Sequence, residues 1–149
     1  MVHSLKITCE VFRNNGNIPS RYTCDGENIN PALIISNLPL KTKSLVVIME
    51  NQEAPKGVFT HWLAWNMPPT NKIGENHPIR EIGINDFRKR GYSGPCPPVG
   101  THRYHYKVWA LDNFLHLNTK SRRAELELAM TKHIVGFGEV VGFYQRKMQ

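Results

Sequence analysis

No stretch of this 149-residue chain comes near the ~18 consecutive apolar residues that a membrane-spanning helix needs. The N-terminal MVHSLKITCEVF has no long apolar segment behind a basic start, so it does not read as a secretory leader, and the expected location is the cytoplasm. Cysteine is scarce. The three residues Cys9, Cys24 and Cys96 are an odd number without CxxC spacing, which argues against both the disulfide framework of a small secreted domain and a structural zinc site. Cys9 and Cys24 pairing is open, but reduced, mostly buried thiols are the expectation. Internal repeats and low-complexity tracts are absent too, and 40% apolar content suits one core, so residues 1–149 are expected to form a single domain.

Acidic residues are outnumbered, 12 against 19 basic, which leaves a formal charge of +7. A nucleic-acid surface would gather those cations with aromatics along one face. Here they are scattered. Only Arg88-Lys89-Arg90, Arg122-Arg123 and Arg146-Lys147 cluster, as solvated loops and helix ends do, and no nucleic-acid partner is expected.

What the chain does have is strand signal. Leu5, Ile7, Cys9 and Val11 alternate with polar residues, the period of a half-buried strand. Leu45–Met49 is continuously apolar, as in a central strand covered on both faces. Phe59–Met67 places Phe59, His61, Leu63 and Trp65 on one face, and Tyr104–Leu111 and Val140–Phe143 suggest two more strands. One helix is expected over Arg122–Lys132 with Ser121 as N-cap. Several strands and one late helix make a mainly β, α+β domain.

The long polar connections 14–31, 51–57 and 68–94 are of a kind that often carries function. GYSGPCPPVGTHRYHYKVWALD (91–112) is the most unusual stretch. Pro95, Pro97 and Pro98 fix φ and remove donors, so with Gly91, Gly94 and Gly100 the segment must be a shaped surface loop. In the strand that follows, His102, Tyr104 and Tyr106 face one way and Arg103, His105 and Lys107 the other. A lone strand histidine is ordinarily structural.

Three stretches together change that balance: RYTCDGENINPAL (21–33), ENQEAPKGVFTHWLAWNMPP (50–69) and residues 91–112. With the AELELAM segment, they resemble the phosphatidylethanolamine-binding protein family, in its bacterial and archaeal Raf-kinase-inhibitor-like branch, over nearly the whole chain. The resemblance implies a large central, antiparallel-rich sheet packed on a smaller one, with peripheral helices, and a small cavity that accepts a phosphate or similar anion. Its residues here would be His61, Pro97, Pro98, the Gly94 backbone, His102 and Tyr104, with Ala54 and Pro55 on another wall. Two imidazoles, a phenol and glycine N–H groups are able to donate hydrogen bonds to an oxyanion, and the histidines to carry charge. The family's D-P-D-A-P loop is here Asn51-Gln52-Glu53-Ala54-Pro55, so Asn51 and Glu53 stand where relatives carry aspartates, and Asn51 is expected beside His61.

An enzyme needs a nucleophile, a base and an oxyanion site together. Cys96 lacks a helix N-terminus to acidify it, and Ser93 lacks the G-x-S-x-G context, so no catalysis is expected; a hydrolase is the minor alternative. A metal site from His61, His102, His105 and Glu53 is disfavoured because alternation turns His105 away and no HxxxH spacing occurs. No cofactor is expected. The reading is a phosphate-ester-binding regulator or inhibitor, the alternative an inhibitor of a protein kinase or serine protease acting through its loops. A homodimer is also expected, from the resemblance and from three tryptophans in a small domain.

Overall fold

A computed structural model describes residues 2–78 and 80–146; Lys147, the second half of the last basic cluster, lies outside them. Along the chain the elements are β1 (His3–Ser4), β2 (Lys6–Cys9), β3 (Gly16–Asn17), a 3₁₀ turn (Ser20–Tyr22), β4 (Leu33–Ser36), β5 (Ser44–Ala54), β6 (Gly57–Met67), β7 (Lys72–Ile73), β8 (His102–Leu111), α1 (Arg123–Met130) and β9 (Ile134–Tyr144). The large sheet runs β1-β9-β8-β5-β6, with β3 also on β9, and the small one runs β2-β4-β7. All pairings are antiparallel except those of β1 and β3 with β9.

Leu45–Met49 is fully buried at the centre of β5, as its unbroken apolar run implies. Leu45, Val47 and Met49 join Trp62, Tyr104 and Tyr106 and the small-sheet residues Ile7, Leu33 and Ile35 in the core between the sheets. Val46 and Ile48 face the other way, onto Leu63, Trp65 and the α1 residues Leu126 and Met130. The chain entering the small sheet passes so close to β9 that a Cβ on Gly138 would collide with the Leu5 carbonyl oxygen and lie 2.9 Å from the Ile7 side chain on β2, which leaves room only for glycine.

Three expectations need correction. The single opening strand is divided at Leu5: β1 stays on the large sheet while β2 crosses to the small one, because Leu5 still donates its N–H to Phe137 (2.9 Å) before the chain turns away. The helix is shorter than expected and Ser121 does not cap it; the Ser121 carbonyl is taken by the Ile84 N–H (2.9 Å), and the Arg122 N–H is satisfied by Glu125 Oε1 (2.8 Å). The peripheral helical elements among the described residues are α1 and the 3₁₀ turn at Ser20–Tyr22.

Cys24 and Cys96 form a disulfide, so of the three thiols only Cys9 is free, and neither the expectation of reduced thiols nor a Cys9–Cys24 pair holds. The two loops are zipped together before the bridge is counted: Cys24 N–H donates to the Pro95 carbonyl (3.1 Å), which brings the two Cα atoms to 5.5 Å. The tryptophans fit within one copy of the chain, with Trp62 and Trp65 buried and Trp109 against Phe137, so they no longer argue for a dimer. No helix among the described residues is long and apolar enough to cross a membrane.

Candidate functional site

One buried side chain assembles the loops around the C-terminal end of β5 and the start of β8. Asn85 Oδ1 accepts the Phe87 and Lys89 N–H groups (2.9 and 3.2 Å), while its Nδ2 lies within bonding distance of the His61 carbonyl, the Gly91 carbonyl and Ser93 Oγ (3.2, 3.1 and 3.0 Å). It thereby ties β6, the turn at 85–89 and the proline-rich loop into one unit. The result is a cavity of about 180 Å³. Ala54, Pro55, Phe59, Phe87, Cys96, Pro97 and Pro98 form its largely apolar wall, and Asn51, His61, His102 and Tyr104 supply its polar groups. Among the described residues, no Lys, Arg, Asp or Glu side chain lines it.

His61 is buried at the base of β6 and packed edge-on by Phe59, Phe87 and Tyr104 (centroids 5.2, 5.3 and 5.3 Å). Its Nδ1–H donates to the Ser93 carbonyl (2.7 Å). Burial drives its pKa down to about 4, with the Ser93 and Gly94 carbonyls pulling the other way, so the ring is neutral at pH 7. With the proton on Nδ1, Nε2 is a hydrogen-bond acceptor and has no protein partner among the described residues. The expectation that both imidazoles donate to an anion is corrected here, because desolvation keeps this one uncharged and its one N–H is already used.

Asn51 sits on β5, level with Tyr104 on β8. Its Oδ1 accepts the Glu53 N–H (2.8 Å), which orients the amide, and its Nδ2 therefore donates to His102 Nδ1 (2.9 Å). That leaves the His102 proton on Nε2, the nitrogen not engaged by Asn51. Asn51 was expected to act on His61; its hydrogen bond goes to His102 instead. Tyr104 is buried, and desolvation pushes its hydroxyl well above the usual phenol range, so it remains a neutral donor.

Two expected members do not reach the cavity. The Gly94 N–H is consumed by Asn28 Oδ1 (2.7 Å) and is not free for an oxyanion. A Cβ at this position would collide with the Tyr22 carbonyl oxygen, so the close approach of the two loops admits only glycine. Glu53 turns outward to accept the backbone N–H of Arg103 (2.9 Å) and its Nε (3.3 Å), and these bonds hold its carboxyl below the usual range. His105 points to the opposite side, as alternation requires, and meets Glu139 (2.6 Å).

Phe59, Phe87 and Cys96 line the cavity although they were not singled out as site residues. Phe59 shares a face with His61 at a spacing of two, a signal that was legible in the sequence. Phe87 lies in a long polar connection, and nothing local marks it.

The sequence profile of a family described as phosphatidylethanolamine-binding protein matches residues 8–145. A UPF0098 protein of Pyrococcus horikoshii is 50% identical over 155 positions, covering 97% of this chain and 78% of the relative. A UPF0098 protein of Methanothermobacter thermautotrophicus is 39% identical, covering 95% and 99%. Among solved structures, a putative phosphatidylethanolamine-binding protein homolog from Chlamydia trachomatis matches with a TM-score of 0.92 at 32% identity, covering 97% of this chain and 99% of that one. Escherichia coli YbcL, whose structure describes it as a new member of the mammalian PEBP family, shares the fold with a TM-score of 0.87 at 24% identity, covering 96% and 99%.

Proposed function

The chain belongs to the phosphatidylethanolamine-binding protein family, and we propose that its cavity binds a small phosphate monoester in the singly protonated form, as a ligand-responsive regulator that acts by binding and not by catalysis. One observation carries this reading: the polar groups on the cavity comprise one acceptor, His61 Nε2, and two donors, His102 Nε2–H and the Tyr104 hydroxyl, with no charged side chain among them. An ROPO₃H⁻ group is complementary to that set. Its P–OH donates to His61, and its other oxygens accept from His102 and Tyr104. A dianion would face the lone pair of His61 without a counter-charge, in a pocket lined mainly by prolines and phenylalanines.

The proline-rich loop, Ala54 and Pro55 supply rigid apolar walls that limit the size of the ester. The two residues weighed and set aside as nucleophiles are both engaged, Cys96 in a disulfide and Ser93 Oγ with Asn85, which supports binding without turnover.

The proton on the ligand gives the test. A phosphate monoester takes up its second proton near pH 6. Calorimetry with ethyl phosphate should show affinity rising by about two orders of magnitude from pH 8 to pH 5 and flattening below about pH 6, as the monoanion becomes dominant. Ethyl sulfate, a monoanion that cannot donate, should bind weakly at every pH. Affinity that rises with pH, or equal binding of the sulfate ester, would overturn the assignment.

A further inference from the structure

The cavity does not end at Pro55 and Phe59. It adjoins a groove of about 530 Å³ that shares Ala54, Pro55 and Phe59 with it, and whose other side carries Asp86, Arg88 and Arg122, with Lys56 at the β5–β6 turn. The two compartments differ sharply in charge. Among the described residues, no Lys, Arg, Asp or Glu side chain lies on the cavity wall, whereas the groove has three cations against one carboxylate.

We infer that the groove is a second subsite, for an anionic group on the organic part of the ligand whose phosphate occupies the cavity, so that the preferred ligand class is a phosphate monoester bearing a second anion such as a carboxylate. This rests on the preceding assignment of the cavity. The single acid does not cancel the cations, because it is already engaged: Asp86 Oδ2 accepts the Thr60 N–H (2.7 Å) and Oδ1 faces Arg122 (3.3 Å). Lys56 and Arg88 have no ion-pair partner among the described residues. Two unpaired cations flanking a groove that leads from a neutral cavity attract an anion there more than anywhere on the cavity wall.

The backbone supports the same assignment. Arg88 has φ +63°, a left-handed conformation that asparagine and glycine adopt readily and arginine rarely. It is held there by the 85–89 turn, in which the Arg88 N–H bonds to the Asn85 carbonyl (2.9 Å) and the Asn85 side chain grips the residues on either side. Consecutive residues of this turn thereby serve different compartments: Phe87 lines the cavity beside His61, and Arg88 lines the groove. A residue with better local propensity would lose the cation from the groove.

The experiment uses alkyl phosphates and ω-carboxyalkyl phosphates of matched length, from two to six carbons, titrated by calorimetry and by backbone-amide NMR shifts at low salt. At the length that spans the two compartments, the carboxylate should raise affinity about five- to tenfold, and 0.5 M salt should abolish the gain. The alkyl phosphates should move the amides of Asn51, His61 and His102, and the added carboxylate those of Lys56 and Arg88. Lys56→Gln combined with Arg88→Asn should remove the gain while leaving alkyl phosphate affinity within about twofold; asparagine suits the left-handed backbone, so the fold is retained. Cavity shifts without any carboxylate gain, or a gain that survives the double substitution, would overturn the groove subsite alone. Absence of cavity shifts with alkyl phosphates would instead overturn the cavity assignment, and the two-part ligand with it.

Discussion

Replacing His61 by asparagine should change the pH dependence of stability in a way that burial alone dictates. The asparagine amide can still donate to the Ser93 carbonyl as Nδ1 does now, so the substitution removes the titration while keeping the bond. In the unfolded chain the imidazole takes up a proton near pH 6.5, whereas in the fold desolvation holds its pKa to about 4. Between those values the unfolded state binds more protons, so acid favours unfolding. The shift of roughly 2.5 units corresponds to about 3 kcal/mol of stability that is present above pH 6.5 and lost as pH falls to about 4. Asp25, Glu50 and Glu53, whose carboxyls are also held below their usual range, lose stability in acid as well, but they do so in both proteins. The quantity to read is therefore the difference between wild type and His61→Asn, from guanidinium unfolding at intervals between pH 7.5 and 4. That difference should move by about 3 kcal/mol against the wild type, mostly below pH 6. Parallel profiles, or a His61 ring midpoint near 6.5 by NMR, would refute the burial argument and the neutral-acceptor role with it.

Asn51→Asp should turn the donor facing His102 Nδ1 into a carboxylate acceptor, so the ring should carry its proton on Nδ1 beside the new acid, read from the NMR shifts of the two ring nitrogens; unchanged ring shifts would show that Asn51 does not orient this histidine. Cys24→Ser with Cys96→Ser frees a loop of sequence separation 72 in the unfolded chain and should cost about 4 kcal/mol, read as a lower guanidinium midpoint; no loss would show that the interloop hydrogen bonds suffice. Glu50 is buried with Arg123, Gln52 and Lys107 around it (2.6, 2.7 and 3.1 Å), and although burial alone would raise its pKa, those partners hold it down. Glu50→Gln removes the buried acid shared by Lys107 and Arg123, leaving Arg123 only the exposed Glu127 (3.5 Å), and should cost about 3 kcal/mol in the same assay.

The core and the scaffold of the site were largely written in local order. Alternation follows from side chains projecting to opposite faces of a strand, and so the apolar run 45–49, the facing of Phe59 with His61, and the opposition of His105 to His102 and Tyr104 could be read without the fold. Proline chemistry likewise announced an irregular loop at residues 94–98, although the fold buries Gly94, Pro95 and Pro97 where a surface loop was expected. Eight of the ten expected site residues, Asn51, Ala54, Pro55, His61, Pro97, Pro98, His102 and Tyr104, do line one cavity.

What local order left undecided was the allocation of each polar group to a partner. Gly94 carries an N–H whatever the fold, but only the approach of Asn28, 66 residues away in sequence, determines that the group is spent. The same holds for Glu53, drawn outward by Arg103, for Asn51, whose amide meets His102, and for Cys24 and Cys96, joined because their loops zip together. Histidine is the clearest case. Its presence at 61 and 102 is a matter of sequence, but whether a ring donates, accepts or charges depends on burial and on the group that holds its other nitrogen. Those are long-range properties of the packed chain, since desolvation and hydrogen-bond direction are set by whatever segments the fold brings within 3 Å.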